Sequence, residues 1–169
     1  MDADLVVGPL AAHHRREAFS CGVPSLDAYL HKQADQDMRR DLAVCYVLHA
    51  PNDADVMGYY TLSATSIELA ALPAALTKRL GRYRVLPATL LGRLALDARY
   101  RGRGMGAILL LNTMRRTLQT GIGSLAIVVD ALDETAAAFY ESFDFRRFED
   151  DPTRLYVPMS KVRDIFPAE

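Results

Sequence analysis

Apolar positions in this chain recur with two periods. Leu90, Leu91, Leu94 and Leu96 form a short apolar run bounded by Asp97, the pattern of a strand buried on both faces. Past three glycines, Ala107, Leu111, Met114 and Leu118 fall at steps of four, three and four and line one helix face, while Arg115, Arg116 and Gln119 reach water. Leu125 to Val129 is again a buried strand after the stop at Gly121 and Gly123, and Ala136, Ala137, Phe139, Tyr140 and Phe143 mark a further helix with Asp133 as its cap. Phe145–Phe148 and Arg154–Pro158 read as short strands around an acidic turn. Upstream, Met1 to Glu17 is an irregular lead-in with a short strand at Leu5–Val7. Pro24 and Ser25, the latter as N-cap, open a helix reaching Met38. Leu42–His49 and Val56–Thr65, joined by a five-residue turn, predict an antiparallel hairpin. Leu72–Leu80 predicts a helix with Pro73 in its first turn and Gly81 at its end. The order implies a single α/β domain over 1–169: a mixed sheet with antiparallel strands first and one βαβ unit after them.

Composition narrows the class. Of 169 residues, 50% are hydrophobic and 24% charged, as in a globular protein with a real core. No apolar run has membrane-spanning length and no leader opens the chain, so the expected setting is the cytoplasm, without a membrane partner. Cys21 and Cys45 are expected as buried thiols rather than a disulfide. His13 and His14, adjacent in what reads as a mobile or surface segment, make no metal-ligand spacing, and no metal is expected. The net charge of −1 conceals an asymmetry: ten of the 20 lysines and arginines lie between Lys78 and Arg116 against one acid, Asp97. Such a cationic stretch in an otherwise acidic chain suits a polyanionic ligand.

The chemistry centres on Gly102, Gly104 and Gly106, between strand and helix. Glycines let the backbone turn its N–H groups one way, and the free donors and positive dipole of a helix start hold phosphate. Arg99, Arg101 and Arg103 add charge. A Walker loop lacks its Lys and hydroxyl here. A dinucleotide fingerprint is one residue short at its last step, although Asp130 stands where a ribose-binding acid would. That fold needs most of its strands downstream, whereas only about sixty residues follow Gly106 and they end in a hairpin. Arg79, Arg82 and Arg84, around Gly81, have no role in holding a small cofactor and could contact nucleic-acid backbone.

Arg101-x-x-Gly104-x-Gly106 after Leu-Ala-Leu-Asp97, with Ala136-x-x-Phe139-Tyr140 and Phe145, resembles the GCN5-related N-acetyltransferase (GNAT) superfamily. Asp144 stands where that family usually has Gly, in an αL-prone position that Asp tolerates. The resemblance implies the GNAT acyl-CoA N-acyltransferase fold and acetyl-CoA as acetyl donor. The site it implies comprises Leu94, Leu96, Arg101, Gly102, Arg103, Gly104, Met105, Gly106, Asp133 and Phe139 toward the cofactor, with Tyr140 protonating the departing thiolate. Phe19-Ser-Cys-Gly-Val-Pro-Ser-Leu-Asp-Ala-Tyr-Leu30, Gly58-Tyr-Tyr-Thr-Leu-Ser63, Leu86-Pro87 and Leu91–Asp97 are together similar to the GNAT toxins of bacterial toxin–antitoxin pairs. Those toxins acetylate the amino acid on charged tRNA. This implies a homodimer, a ribbon-helix-helix antitoxin, and a tRNA surface at Arg79, Arg82, Arg84 and Arg93.

The chemistry of the acceptor agrees. A nucleophilic amine must be neutral; an α-amine, with a pKa of about 7.7 to 8, needs little help from a base, whereas a lysine at about 10.4 needs much. No Glu or His is placed by the sequence as that base. Acetylation of a small amine or protein N-terminus, and a non-catalytic acyl-CoA-binding module, are the rival readings.

Overall fold

The computed structural model describes residues 4–168; the first three residues of the expected lead-in lie outside them. Strands β1 (Val6–Pro9), β2 (Val44–His49), β3 (Gly58–Glu68), β4 (Val85–Leu96), β5 (Ala126–Asp130), β6 (Arg146–Arg147) and β7 (Arg154–Pro158) hydrogen-bond in the order β1-β2-β3-β4-β5-β7-β6. Helices α1 (Pro24–Lys32), α2 (Ala34–Arg39), α3 (Ala74–Thr77), α4 (Met105–Gln119), α5 (Glu134–Glu141) and α6 (Met159–Ile165) join them. The chain forms two compact units. One is the chain up to Ser63 with Gly92–Thr113; the other is Ala64–Leu91 with the chain from Met114 onward. β3, β4 and α4 each pass from one into the other.

In the first unit β1 and β2 pair antiparallel, as do β2 and β3, with Val47 opposite Tyr59 and Cys45 opposite Thr61. The expected hairpin is therefore present. Phe19, Tyr29, Leu30, Cys45, Val47 and Tyr59 fill the core beneath it, Phe19, Leu30 and Val47 each contributing on the order of 1.5–3 kcal/mol by leaving water. The rings of Tyr29 and Tyr59 stack at 6.2 Å, and the Tyr59 hydroxyl donates to the Leu26 carbonyl at 2.7 Å. Gly58 is required by space: a Cβ there would lie 2.9 Å from Leu109 Cδ1 and 3.1 Å from the Ala95 carbonyl oxygen.

The single helix expected from Pro24 to Met38 is two, because Gln33 leaves helical geometry (φ −123°) and lets Ala34 turn fully into the core. The Tyr29 hydroxyl then ties α1 to α2 by donating to Asp37 at 2.8 Å. Ser25 is not the cap. The N-cap is Val23, with Pro24 as first helical residue, where its missing N–H removes nothing from the helix. His14 is buried rather than on the surface, its ring 4.2 Å from that of His13 and 4.9 Å from that of His49, with Nδ1 accepting from the Ala11 N–H. Cys21 and Cys45 are buried and unpaired. Burial pushes the two thiols up to about 11 and about 12, so neither is a nucleophile at neutral pH.

In the second unit Thr89, Leu90 and Leu91 of β4 pair parallel with Ile127, Val128 and Val129 of β5. β7 lies antiparallel to β5 on one side and to β6 on the other. Ile67, Leu72, Leu86, Ala126, Val128, Phe148 and Tyr156 make the core. The helix expected over Leu72–Leu80 shrinks to α3, four residues, because the chain past Thr77 runs into successive turns: Leu80 N–H to the Thr77 carbonyl, Tyr83 N–H to the Leu80 carbonyl. α6 was not foreseen from the pattern; Met159 and Val162, three apart just after Pro158, are its buried face and were the available signal.

Among the described residues no helix is long and apolar enough to cross a membrane, and no cluster of His, Cys, Asp or Glu could hold a metal ion.

Candidate active site

The first unit carries the glycine loop. β4 ends at Leu96, and Asp97 caps the 3₁₀ turn Ala98–Tyr100. The Asp97 carboxylate is almost wholly buried and collects four donors. Oδ1 accepts from the Arg99 backbone N–H and Nε, both at 2.9 Å; Oδ2 accepts from the Ser20 N–H and Arg99 Nη2, both at 3.1 Å. Burial by itself would raise its pKa, but these hydrogen bonds and the Arg99 charge outweigh burial and hold it below the usual carboxylate range. The Asp97 N–H reaches the Met57 carbonyl and the Ala98 N–H the Ser20 carbonyl, so the strand's exit is fixed from both sides. Asp97 marked only the strand's end in the sequence; the structure makes it the residue that positions the loop.

Beyond that knot, Gly102 (φ +77°) and Gly104 (φ +76°) are left-handed, which L side chains rarely adopt. A Cβ at either would meet nothing within 4 Å, so glycine is selected there by backbone conformation, and the space over the loop is open. Met105 is buried and anchors α4; Gly106 is its second residue. The Ile108 N–H bonds to the Gly104 carbonyl, which opens the helix and leaves the N–H groups of its first turn without helical partners. With the dipole of a 15-residue helix behind them, these donors fit a diphosphate. Arg101 turns inward instead and donates from Nη2 to the Cys21 carbonyl, while Arg99 and Arg103 flank the Tyr100 ring at 5.4 and 5.9 Å. Leu94 and Leu96 are half-buried on β4. Arg93 lies over the Tyr29 ring at 3.5 Å, a cation–π pair.

The second unit carries Tyr140, on α5. Asp133 is the N-cap of that helix, its Oδ1 accepting from the Ala136 N–H at 2.8 Å, and Arg147 bridges Glu134 and Glu141 along the helix. Phe139, half-buried, meets the Tyr140 ring edge-on at 5.4 Å, and Phe145 packs on Tyr140 at 5.3 Å. Asp144 takes φ +68°, the left-handed turn that brings the Phe145 N–H back to the Tyr140 carbonyl. Tyr140 is only 6% exposed, and burial pushes its hydroxyl pKa well above the ordinary tyrosine value. A phenol so placed keeps its proton at neutral pH. Arg79, Arg82 and Arg84 share one exposed stretch of this unit. Asp130, the acid a dinucleotide site would use, faces Arg154 at 3.6 Å.

A buried strand passing through paired left-handed glycines into a long helix, in a mixed sheet with one βαβ unit, is the acyl-CoA N-acyltransferase architecture. Residues 10–145 match the acetyltransferase (GNAT) family, and the chain belongs to it. The chain is 37% identical over 148 residues to the tRNA-acetylating toxin of Mycobacterium tuberculosis (strain ATCC 25618 / H37Rv), covering 86% of this chain and 87% of that protein. Among solved structures, AtaT complexed with acetyl-methionyl-tRNAfMet superposes with a TM-score of 0.89 at 29% identity over 96% of this chain and 99% of that one. A mutant AtaT toxin bound to the C-terminus of the antitoxin AtaR and acetyl-CoA gives 0.83 at 27% identity over 98% and 99%.

Proposed function

We propose that the chain is the toxin of a toxin–antitoxin pair and transfers the acetyl group of acetyl-CoA to the α-amine of the amino acid carried by charged tRNA, blocking translation. The likeness to a tRNA-acetylating toxin along most of the chain carries this reading. Acetyl-CoA, when bound, supplies an activated thioester. The amides from Gly102 to Gly106 and the first turn of α4 hold its diphosphate, with Arg103 beside them and Arg101 bracing the loop from behind. The half-buried Leu94 and Leu96 line the way for the acyl arm, and the β4 amide near Leu96 receives the negative charge that develops on the carbonyl oxygen. The parallel register of β4 with β5 stops at Leu91, which supports that use of the later β4 residues. Tyr140 donates its proton to the departing sulfur. Asp133 and Phe139 act through Tyr140, by capping its helix and packing on its ring. The acceptor's α-amine is substantially neutral near pH 8 and attacks without a protein base.

Arg79, Arg82 and Arg84 serve the tRNA backbone; Arg93, committed to Tyr29, is the weakest member of that set. The same reading assigns a ribbon-helix-helix antitoxin, a homodimer and action in the cytoplasm, where charged tRNA is found. Incubation with labelled acetyl-CoA and total charged tRNA tests it: label should appear in the aminoacyl moiety and leave the RNA when the ester is hydrolysed. Label in protein or polyamine, with none in RNA, would sink the proposal in favour of another amine acceptor.

A further inference from the structure

The segment Lys78-Arg-Leu-Gly-Arg-Tyr83-Arg-Val85 holds four cations and no acid, and in its middle stands an aromatic side chain that neither the core nor the catalytic chemistry uses. Of the eight tyrosines in the chain, Tyr83 is the one that stands exposed, with 51% of its surface accessible. Tyr29 and Tyr100 have guanidinium groups over their rings, Tyr46 stacks on Tyr60 at 5.0 Å, and Tyr59, Tyr60, Tyr140 and Tyr156 are buried. Among the described residues no ring and no guanidinium covers Tyr83. Its backbone is nevertheless held: the Tyr83 N–H donates to the Leu80 carbonyl at 3.0 Å, and the next carbonyl, that of Arg84, accepts from the Leu69 N–H at 3.0 Å. The ring therefore projects from an anchored turn. It lines a shallow hollow of about 560 Å³ together with Glu68, Leu69, Ala70, Arg84 and Val85.

We propose that Tyr83 is a stacking platform for one unpaired base of the RNA substrate, which enters this hollow while Arg82 and Arg84 hold the phosphates on either side of it. This rests on the reading of the substrate as charged tRNA. Every base offers a π-face, so stacking needs no sequence match, and cations placed on both sides of an exposed ring match the alternation of phosphate and base along a single strand. Glu68 adds an acceptor for an exocyclic amine, which cytosine and adenine both carry. An acidic peptide would engage the arginines and leave the ring without a partner.

The test compares Tyr83→Ala and Tyr83→Phe with the wild type in the full-length protein. The readouts are steady-state acetylation of charged tRNA, binding of deacylated tRNA across a salt series, and acetylation of an amino-acid ester carrying no RNA. Tyr83→Ala should raise KM for charged tRNA and Kd for deacylated tRNA by roughly 5- to 150-fold with little change in kcat, and Tyr83→Phe should stay within about threefold of wild type. The salt slope of binding should be unchanged in Tyr83→Ala and shallower in an Arg82→Gln/Arg84→Gln double variant. A Tyr83→Ala protein that binds tRNA like wild type overturns the inference. So does Tyr83→Phe failing as badly as Tyr83→Ala, which would assign the hydroxyl instead of the ring, or an equal loss on the ester, which would mark a folding defect. If the wild type acetylates no charged tRNA at all, the substrate reading fails first and takes this inference with it; if it does and the Tyr83 variants are indistinguishable, this inference alone fails.

Discussion

At the scale of single residues, two buried groups are held in opposite protonation states, each for a legible reason. Tyr140 sits in an aromatic pocket where an anion would be poorly solvated, so it remains a phenol with its proton in place. Tyr140→Phe should bind acetyl-CoA as wild type in calorimetry while transfer falls by about 10²- to 10⁴-fold; equal rates would remove Tyr140 from the chemistry. In the wild type the acid limb of kcat/KM should report the free acceptor amine near pH 8, and no alkaline limb should appear at the ordinary tyrosine value near 10. Asp97, by contrast, is buried as an anion because four donors converge on it. Its folded pKa lies below the unfolded one, so the stability it contributes is present above about pH 4 and is lost as pH falls through the lower, folded value. Asp97→Asn replaces one acceptor oxygen by a donor facing other donors and should cost about 1–3 kcal/mol in denaturant unfolding, with weaker acetyl-CoA binding because the loop exit is no longer fixed.

Elements fix the loop and the helix that carries Tyr140. Any side chain at Gly104 must be held at φ +76°, so Gly104→Ala should cost about 1 kcal/mol or more of strain. Because open space surrounds that position, no steric clash adds to the strain, and the effect should show as a melting temperature lower by a few degrees together with several-fold weaker acetyl-CoA binding. Asp133→Ala should lower stability without weakening acetyl-CoA binding. Loss of the cap of α5 costs about 1 kcal/mol of stability, seen as a lower melting temperature that Asp133→Asn restores; a selective loss of acetyl-CoA affinity would show that Asp133 touches the cofactor instead. Legibility followed the same line. The β2–β3 hairpin, the α5 cap and the left-handed turn at Asp144 could be read from spacing because each is decided by neighbours within a few residues. The α4 face was displaced: Leu109, Leu110, Thr113 and Thr117 are buried with Met114, whereas Ala107, Leu111 and Leu118 are only half-buried, because the sheet and not the helix period decides which side is covered. The break at Gln33 could not be read, since it depends on Ala34 entering a core built by β2 and β3. Nor could the inward turn of Arg101, whose partner, the Cys21 carbonyl, lies eighty positions away.

Across the molecule, charge and pH tie composition to behaviour. Half the cations lie in one stretch of a chain with net charge −1, so the protein should use tRNA in a strongly salt-dependent way. Replacing Arg79, Arg82 and Arg84 by Glu should weaken tRNA use and flatten that dependence while leaving acetyl-CoA affinity alone. His14 should make the fold sensitive to mild acid. Burial, together with the neighbouring His13 and His49, lowers its pKa in the folded state. The stabilisation from keeping it neutral is therefore complete above about pH 6.5, the unfolded value, and is lost as pH falls from there through the folded one. Denaturant midpoints at pH 7.5 and 5.5 should differ less in a His14→Gln variant than in wild type.

What the amino-acid order determined alone is the succession of strands and helices from the β2–β3 hairpin through β7, the glycine loop with its arginines and the tyrosine of α5, because periodicity, capping and left-handed glycines are local properties of a chain. What only the folded protein decided is which of those groups are already committed. Arg93 is spent on a tyrosine ring, Arg101 on a carbonyl, Asp97 on four donors, and Tyr83 is left bare. Side chains find partners through contacts between segments far apart in sequence, and no local pattern records which contacts those will be.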